Sequence, residues 1–132
     1  MIQNRTAYYM FDQVETEVFS AIRDRLGIAT PISLLLGTSE VERVHSGVGR
    51  FTNFSMNDDA FREFRDAAGK RVVDGPYLES PDLQHGACSL LFLDGPADCT
   101  LEFAAYGDTF PESLIKYRLL DFPDVLEKPK SE

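Results

Sequence analysis

Two histidines are the side chains best suited to chemistry near neutral pH. His45 and His85 are the only histidines among 132 residues, and imidazole groups exchange protons and bind metals in that range. With a carboxylate such as Glu42 they could form an acid–base pair or a metal site. Each stands close to a turn glycine, Gly47 or Gly86, and their spacing matches no metal motif. Polar side chains flanking turns are therefore the preferred interpretation.

The nucleophile candidates also lack the surroundings that catalysis needs. Ser46 directly follows His45, whereas catalytic partners are brought together by the fold, and no Gly-x-Ser-x-Gly motif occurs. Cys88 is close in sequence to His85, but Cys88 and Cys99 both lie in strand-like apolar segments. Their number and spacing fit neither a disulfide framework nor a zinc site. We expect two buried free thiols, no catalytic residue and no cofactor.

The segment Gly47-Val48-Gly49 resembles a phosphate-binding loop only superficially. Such loops lead into the N-terminus of a helix, but residues 50–54 are aromatic and strand-like. The glycines instead indicate a turn or a β-bulge.

Three carboxylates, Asp94, Asp98 and Glu102, could serve acid–base chemistry or bind a hard cation. Glu102 falls on the polar face of a predicted strand, and the two aspartates flank a predicted turn. Solvated carboxylates are the simpler interpretation of all three.

A helix is predicted from Met10 to Leu26, because apolar residues recur there at helical spacing. They are Phe11, Val14, Val18, Ile22 and Leu26. Asn57 is expected to cap a second helix through Ala68, which Gly69 ends. Thr30-Pro31 indicates a further helix start, with Ile32–Leu36 either a short helix or a short strand.

Strands are predicted where aromatic and β-branched residues lie between turn signals. These segments are Glu40–His45, Arg50–Met56, Lys70–Asp74, Ala87–Leu93 and Thr100–Tyr106. Leu114–Leu120 fits an edge strand or a last helical turn, and Gly75–Gly86 reads mostly as loop. Leu90–Leu93 is apolar on both faces, which suggests a central strand covered on both sides.

The order of the elements predicts one α+β domain over residues 1–132, with helices packed on a mainly antiparallel sheet of about five strands. Residues 121–132 are expected to fray. A hairpin turn centred on Gly95-Pro96 would place Cys88 opposite Phe103, and Cys99 opposite Phe92. The thiols would then be too far apart to form a disulfide.

Charge is distributed unevenly along the chain. Between Asp74 and Glu127 eleven acids face only Lys116 and Arg118, which accounts for the whole formal net charge of −9. This acidity disfavours nucleic acid as a ligand and suits either a basic protein partner or simple solubility. The apolar runs are too short to span a membrane, and no secretory signal is visible, so we expect a cytoplasmic protein. The expected partner-binding residues are Asp94, Asp98, Glu102, Tyr106 and Asp108.

Residues 45–54 and 86–95, followed by Leu101-Glu102 and Tyr106-Gly107-Asp108, together resemble a group of small bacterial proteins. That group has a Gly-x-Gly-x-Phe-Thr-x-Phe segment and a later Leu-Glu-x-x-x-Tyr-Gly-Asp segment. The resemblance covers roughly residues 40–118 and implies an immunity- or antitoxin-like binding role without enzyme activity. Arg50 departs from it, because an aromatic or apolar residue is expected at that position.

The leading hypothesis is a binding module without catalysis, of immunity type, that neutralises a basic partner protein. The alternative is a small enzyme or ligand-binding protein using His45 or His85 with carboxylates, and a structural subunit of a larger complex is a third possibility. Histidines that converge on one pocket would favour the enzyme, whereas separated histidines and an acidic face would favour binding.

Overall fold

The computed structural model describes residues 11–31 and 41–123. Two helices and seven strands occur in these ranges. The helices are α1 (Gln13–Arg25) and α2 (Asp58–Ala68). The strands are β1 (Glu42–His45), β2 (Gly49–Phe54), β3 (Val72–Asp74), β4 (Leu78–Ser80), β5 (Leu83–Gly95), β6 (Asp98–Ala105) and β7 (Arg118–Leu119). None of the helices in these ranges is long and apolar enough to cross a membrane.

Helix α1 starts at a reciprocal cap rather than at Met10, which lies outside the described residues. The Asp12 carboxylate accepts a hydrogen bond from the Glu15 backbone N–H at 3.0 Å, and the Asp12 N–H donates to Glu15 Oε1 at 2.7 Å. This capping box satisfies two backbone donors that a helix start leaves open. The predicted apolar face is confirmed, since Val14, Val18 and Ile22 are buried.

Helix α2 begins and ends where its sequence predicted. The Asn57 side chain accepts a hydrogen bond from the Ala60 N–H at 2.8 Å, and Gly69 ends the helix with φ of +70°. Phe64 is fully buried, whereas Phe61 is only half-buried. The predicted element at Ile32–Leu36 lies outside the described residues.

The strands form one antiparallel sheet in the order β1-β2-β6-β5-β4-β7, and β3 pairs with β5 beside β4. The α+β class is confirmed, but the sheet has seven strands rather than about five. The additional strands are β4 and β7. Strand β4 lies in the segment predicted as loop, because three residues between prolines are too few to show periodicity. Residues 114–120 were predicted as either an edge strand or a last helical turn. They contain strand β7, which pairs with β4 at the edge of the sheet.

The register of the β5–β6 hairpin differs by one residue from the prediction. Cys88 pairs with Ala104 and Cys99 with Leu93. The turn is centred on Pro96-Ala97, one residue later than predicted, which by itself would shift the pairing by two residues. A bulge at Asp94, between Leu93 and Gly95, adds one residue to β5 and cancels half of that shift. Both cysteines are free, with Cys99 buried and Cys88 on the opposite, half-buried side of the sheet.

The two faces of the sheet have different surroundings. Both helices pack on the inner face, and their buried side chains form one core with Val73, Leu91, Leu93, Leu101 and Phe103. We call the opposite side the outer face. By register and strand alternation its members are Glu42, Val44, Phe51, Asn53, Cys88, Leu90, Phe92, Asp94, Asp98, Thr100, Glu102 and Ala104.

Strand β5 is central, as predicted, but the described elements cover it on one side only. Leu90 and Phe92 on the outer face are half-buried, whereas Leu91 and Leu93 are fully buried. Neither Leu90 nor Phe92 belongs to the core formed by the described residues. Side chains of the neighbouring strands, and Arg71 over the Phe92 ring, shield Leu90 and Phe92 from part of the solvent.

Adjacent leucines on β5 allow a direct comparison of the two faces. We expect Leu91→Ala to lower the free energy of unfolding by about 2–5 kcal/mol, because it opens a cavity in the core. Leu90→Ala should cost clearly less, because Leu90 loses less buried surface on truncation. Urea denaturation of both variants measures the difference. Equal losses would mean that the outer face is packed as tightly as the core.

Candidate functional site

The two histidines do not form a shared site. His45 ends β1 and His85 lies on β5, with β2 and β6 between these strands. Burial and, next, the positive charge of Arg50 lower the pKa of His45. Among the described residues no group of three or more His, Cys, Asp or Glu side chains is placed to hold a metal ion.

The glycine segment beside His45 forms the turn between β1 and β2, as predicted. The Ser46 N–H donates a hydrogen bond to the Gly49 carbonyl at 3.0 Å, and Gly47 has φ of +90°. Gly49 packs directly against the Phe103 carbonyl, which leaves no space for a side chain. Ser46 therefore lies in a structural turn.

The two thiols have different environments. Cys99 donates a hydrogen bond to the Gly95 carbonyl at 3.2 Å, and burial together with the charge of Asp98 raises its pKa to about 12. A thiol with that pKa is a poor nucleophile at neutral pH. Cys88 is half-buried beside Tyr106 on the outer side of the sheet.

A buried ionic cluster joins α1 to the inner face of the sheet. Its members, which we call the Glu15 cluster, are Asp12, Glu15, Arg43, Arg50 and Thr52. Glu15 is fully buried and accepts hydrogen bonds from Arg43 at 2.6 and 2.7 Å and from the Thr52 hydroxyl at 2.6 Å. Arg50 Nη2 lies 3.2 Å from both Glu15 and Asp12.

Arg50 fills the inward position at which the resemblance called for an apolar or aromatic residue. It is 1% exposed, and its guanidinium carbon lies 5.2 Å from the centre of the Phe103 ring and 5.9 Å from that of Phe110. The rings replace part of the apolar contact, while Glu15 and Asp12 balance the charge.

The two carboxylates of the cluster respond differently to their shared surroundings. Burial by itself would raise the pKa of Glu15, but hydrogen bonds from Arg43 and the charge of Arg50 hold it below its usual value. For Asp12, burial and the neighbouring charge of Glu15 outweigh Arg50, and its pKa is raised. Glu15 is thus the carboxylate that the arginines stabilise as an anion.

The five expected partner-binding residues are spread along the length of β6 and beyond it. Asp94 and Asp98 lie on the outer face beside the β5–β6 turn, and Glu102 lies on the same face in the middle of β6. Tyr106 and Asp108 lie beyond the other end of β6. Because a strand rises about 3.3 Å per residue, Asp98 and Tyr106 are separated by about 26 Å. They do not form one compact patch.

Asp108 has a structural role in its own turn. Its carboxylate accepts hydrogen bonds from the Gln84 N–H at 3.0 Å and the Thr109 N–H at 2.8 Å. These bonds lower the pKa of Asp108.

Tyr106 lines an open cleft of about 710 Å³ between β4, β5 and β7. Its ring centre is 6.4 Å from that of Tyr77, and His85, Lys116 and Arg118 also line the cleft. Arg118 forms an ion pair with Glu79. Aromatic rings beside cationic groups are suited to a small anionic ligand.

Glu102 is a half-buried carboxylate at the centre of the outer face. Phe51 and Leu90 are its register partners on either side. No hydrogen bond or ion pair to Glu102 occurs within the described residues, and burial raises its pKa. A partly desolvated carboxylate between apolar side chains is a favourable place for a cation from another molecule.

Apolar and polar side chains surround Glu102 in two rows across the strands. One row runs Val44, Phe51, Glu102, Leu90, and the next runs Glu42, Asn53, Thr100, Phe92. The Thr100 hydroxyl bonds to Asn53 at 2.8 Å. An open recess of about 360 Å³ lies on this face, lined by Val44, Phe51, Asn53, Phe92, Asp94 and Thr100.

Comparisons with protein-family models, with curated proteins and with solved structures give no match to this chain. The resemblance of residues 40–118 to immunity-type proteins therefore stays a prediction.

The Glu15 cluster yields a matched pair of variants. We expect Glu15→Gln to lower the free energy of unfolding at pH 7 by about 3–5 kcal/mol, because Arg43 and Arg50 keep buried charges without their main counter-charge. Asp12→Asn should change it by less than about 1 kcal/mol, because asparagine caps helices as well as aspartate does. Urea denaturation of both variants is the measurement.

The pH dependence of these variants provides the control. Since the folded-state pKa of Glu15 lies below the ordinary value of 4.5 for a glutamate, its stabilising contribution is present above that value. It is lost as pH falls through the folded-state pKa. The gap between wild type and Glu15→Gln should therefore narrow in acid. A gap that stays constant, or equal losses for both variants at pH 7, would contradict this account of the cluster.

Proposed function

We propose that this chain is a binding module without catalysis, of immunity type, which docks a basic partner protein on the outer face of its sheet. The observation that carries the proposal is the half-buried carboxylate of Glu102 between Phe51 and Leu90, for which the described part of the chain provides no cation. A folded protein gains little by itself from such a group, whereas a cation of the partner would pair with it.

The apolar side chains around Glu102 support protein docking. Val44 is 45% exposed, and Phe51, Leu90 and Phe92 are half-buried. Aromatic and aliphatic side chains at the centre of an interface, ringed by polar groups, provide most of the binding energy in protein complexes. The open recess between Phe51 and Phe92 could receive a partner side chain.

The charges of the outer face support a basic partner. Glu42, Asp94, Asp98 and Glu102 contribute four carboxylates. The described cation beside them is Arg71, whose guanidinium lies 3.0 Å from Asp94. Such a face repels nucleic-acid phosphates and attracts a positively charged protein surface.

The alternative, a small enzyme or ligand-binding protein, has less support. His45 and His85 lie on strands separated by two others, so an acid–base pair of these two residues has no geometric basis. The cleft beside His85 retains the elements of a small-ligand site, but of its two basic residues, Lys116 and Arg118, Arg118 already pairs with Glu79.

Association with the partner should depend on charge. A lysate of the source organism is passed over the immobilised chain, the retained protein is identified, and its binding kinetics are measured at two salt concentrations. We expect an Asp98→Lys/Glu102→Lys variant to associate with the partner about tenfold more slowly at low salt, because charges steer encounter. The difference should shrink at high salt as screening shortens to about 3 Å at 1 M.

A control variant separates the outer face from total charge. Glu63→Lys together with Asp59→Lys changes the net charge by the same amount on the exposed side of α2. This control should bind the partner much as the wild type does. A partner with an acidic surface, or equal slowing by both double variants, would overturn the proposed docking surface.

A further inference from the structure

In the described residues, the same pair of groups, a carboxylate and an aromatic ring, lies beside an arginine in two places. On the outer face, Arg71 lies 3.0 Å from Asp94 and 5.9 Å from the centre of the Phe92 ring. Inside the core, Arg50 lies 3.2 Å from Glu15 and 5.2 Å from the centre of the Phe103 ring. In both places one guanidinium lies within ion-pair distance of a carboxylate and within about 6 Å of the centre of a ring.

Glu102 and Phe51 form a third pair of this kind without an arginine. They stand directly opposite each other on β6 and β2, and such residues have Cβ atoms about 4.5–5.5 Å apart. The Phe51 ring and the Glu102 carboxylate are both partly accessible. No ion pair to Glu102 occurs within the described residues, so both groups can receive a cation from outside.

We propose that Glu102 and Phe51 form a receptor for an arginine side chain of the partner protein, with the guanidinium paired to Glu102 and lying against the Phe51 ring. This inference rests on the proposed docking role of the outer face. It adds the identity of the partner residue at the centre of the interface.

Arginine fits this place better than lysine for two physical reasons. A guanidinium is flat and weakly hydrated, so it can lie on a ring while it pairs with a carboxylate. An ammonium is compact and strongly hydrated, and it would lose more solvation in a half-buried setting. The receptor therefore predicts selectivity between two residues of equal charge.

Two short peptides provide the probe. The isotopically labelled full chain is titrated with acetyl-Gly-Arg-Gly-Arg-Gly-amide and with its lysine twin, and the shifts of the Glu102 carboxyl carbon and the Phe51 ring protons are followed by NMR. We expect the arginine peptide to bind at these two residues about three- to fivefold more tightly than the lysine peptide, as a ring–guanidinium contact at an exposed site implies.

Three variants assign the selectivity to its groups. Glu102→Gln should abolish the response at Phe51 to both peptides. Phe51→Leu should keep binding at Glu102 but remove the preference for arginine. Glu63→Gln, with the same loss of charge on α2, should leave affinity and preference unchanged.

The possible results separate this inference from the proposed function. Equal affinity of both peptides at Glu102 would overturn the arginine receptor and leave the basic-partner proposal intact. No shift at Glu102 or Phe51 with either peptide would overturn both. A preference for arginine that survives Phe51→Leu would show that the ring has no part in it and would refute the receptor as stated.

Discussion

Glu15 keeps a negative charge in a position closed to water, and the placement of α1 depends on how that charge is balanced. Two arginines from β1 and β2 and one hydroxyl from β2 reach its carboxylate, while the same side chain closes the cap of its own helix. An ion without these partners would cost several kcal/mol to bury. The helix can therefore cross the sheet only where Glu15 meets Arg43, Arg50 and Thr52. Apolar contacts alone tolerate small shifts, whereas this cluster does not.

The cluster also determines which side of the sheet the helices cover. With α1 and α2 packed on the inner face, the described part of the chain offers no second layer for the outer face. That face keeps aromatic side chains and carboxylates side by side, and Glu102 stands among them with no ion-pair partner from residues 11–31 and 41–123. A carboxylate is thus paired with cations on the inner side of the sheet, whereas on the outer side the described residues supply no cation to Glu102, which is the basis of the proposed docking surface.

Local signals made much of the fold predictable from sequence. The caps at Asn57 and Gly69 act within a few residues, and the alternation of Leu101, Glu102 and Phe103 assigns their faces correctly. The hairpin register was wrong by one residue, because the turn is centred on Pro96-Ala97 rather than Gly95-Pro96, and a bulge at Asp94 that leaves no mark in the local pattern offsets only part of that shift. Strand β4 was missed because its pairing with β5 and β7, not its composition, makes it a strand.

The buried cluster could not have been predicted. Glu15 looks like any acid in the first turn of a helix, and Arg43 looks like an exposed strand residue. Arg50 stands out only as a departure from the resemblance, which does not indicate what it pairs with. Only the sheet register brings them together, across 28 and 35 positions of sequence. The expected partner surface included Tyr106 and Asp108 because they follow Glu102 closely in sequence. In the structure both residues lie away from the recess beside Phe92.

The central claim is that the core lies on one side of the sheet and that the outer face is open. The most direct test is to add a soluble paramagnetic agent to the free protein and measure by NMR how strongly it relaxes the aromatic ring protons. The account predicts strong relaxation enhancement for the ring protons of Phe51 and Phe92, and little for those of Phe19 and Phe103, which are fully buried. Equally weak enhancement for all four rings would show that the outer face is already covered. That result would contradict the docking surface on which the proposed function rests.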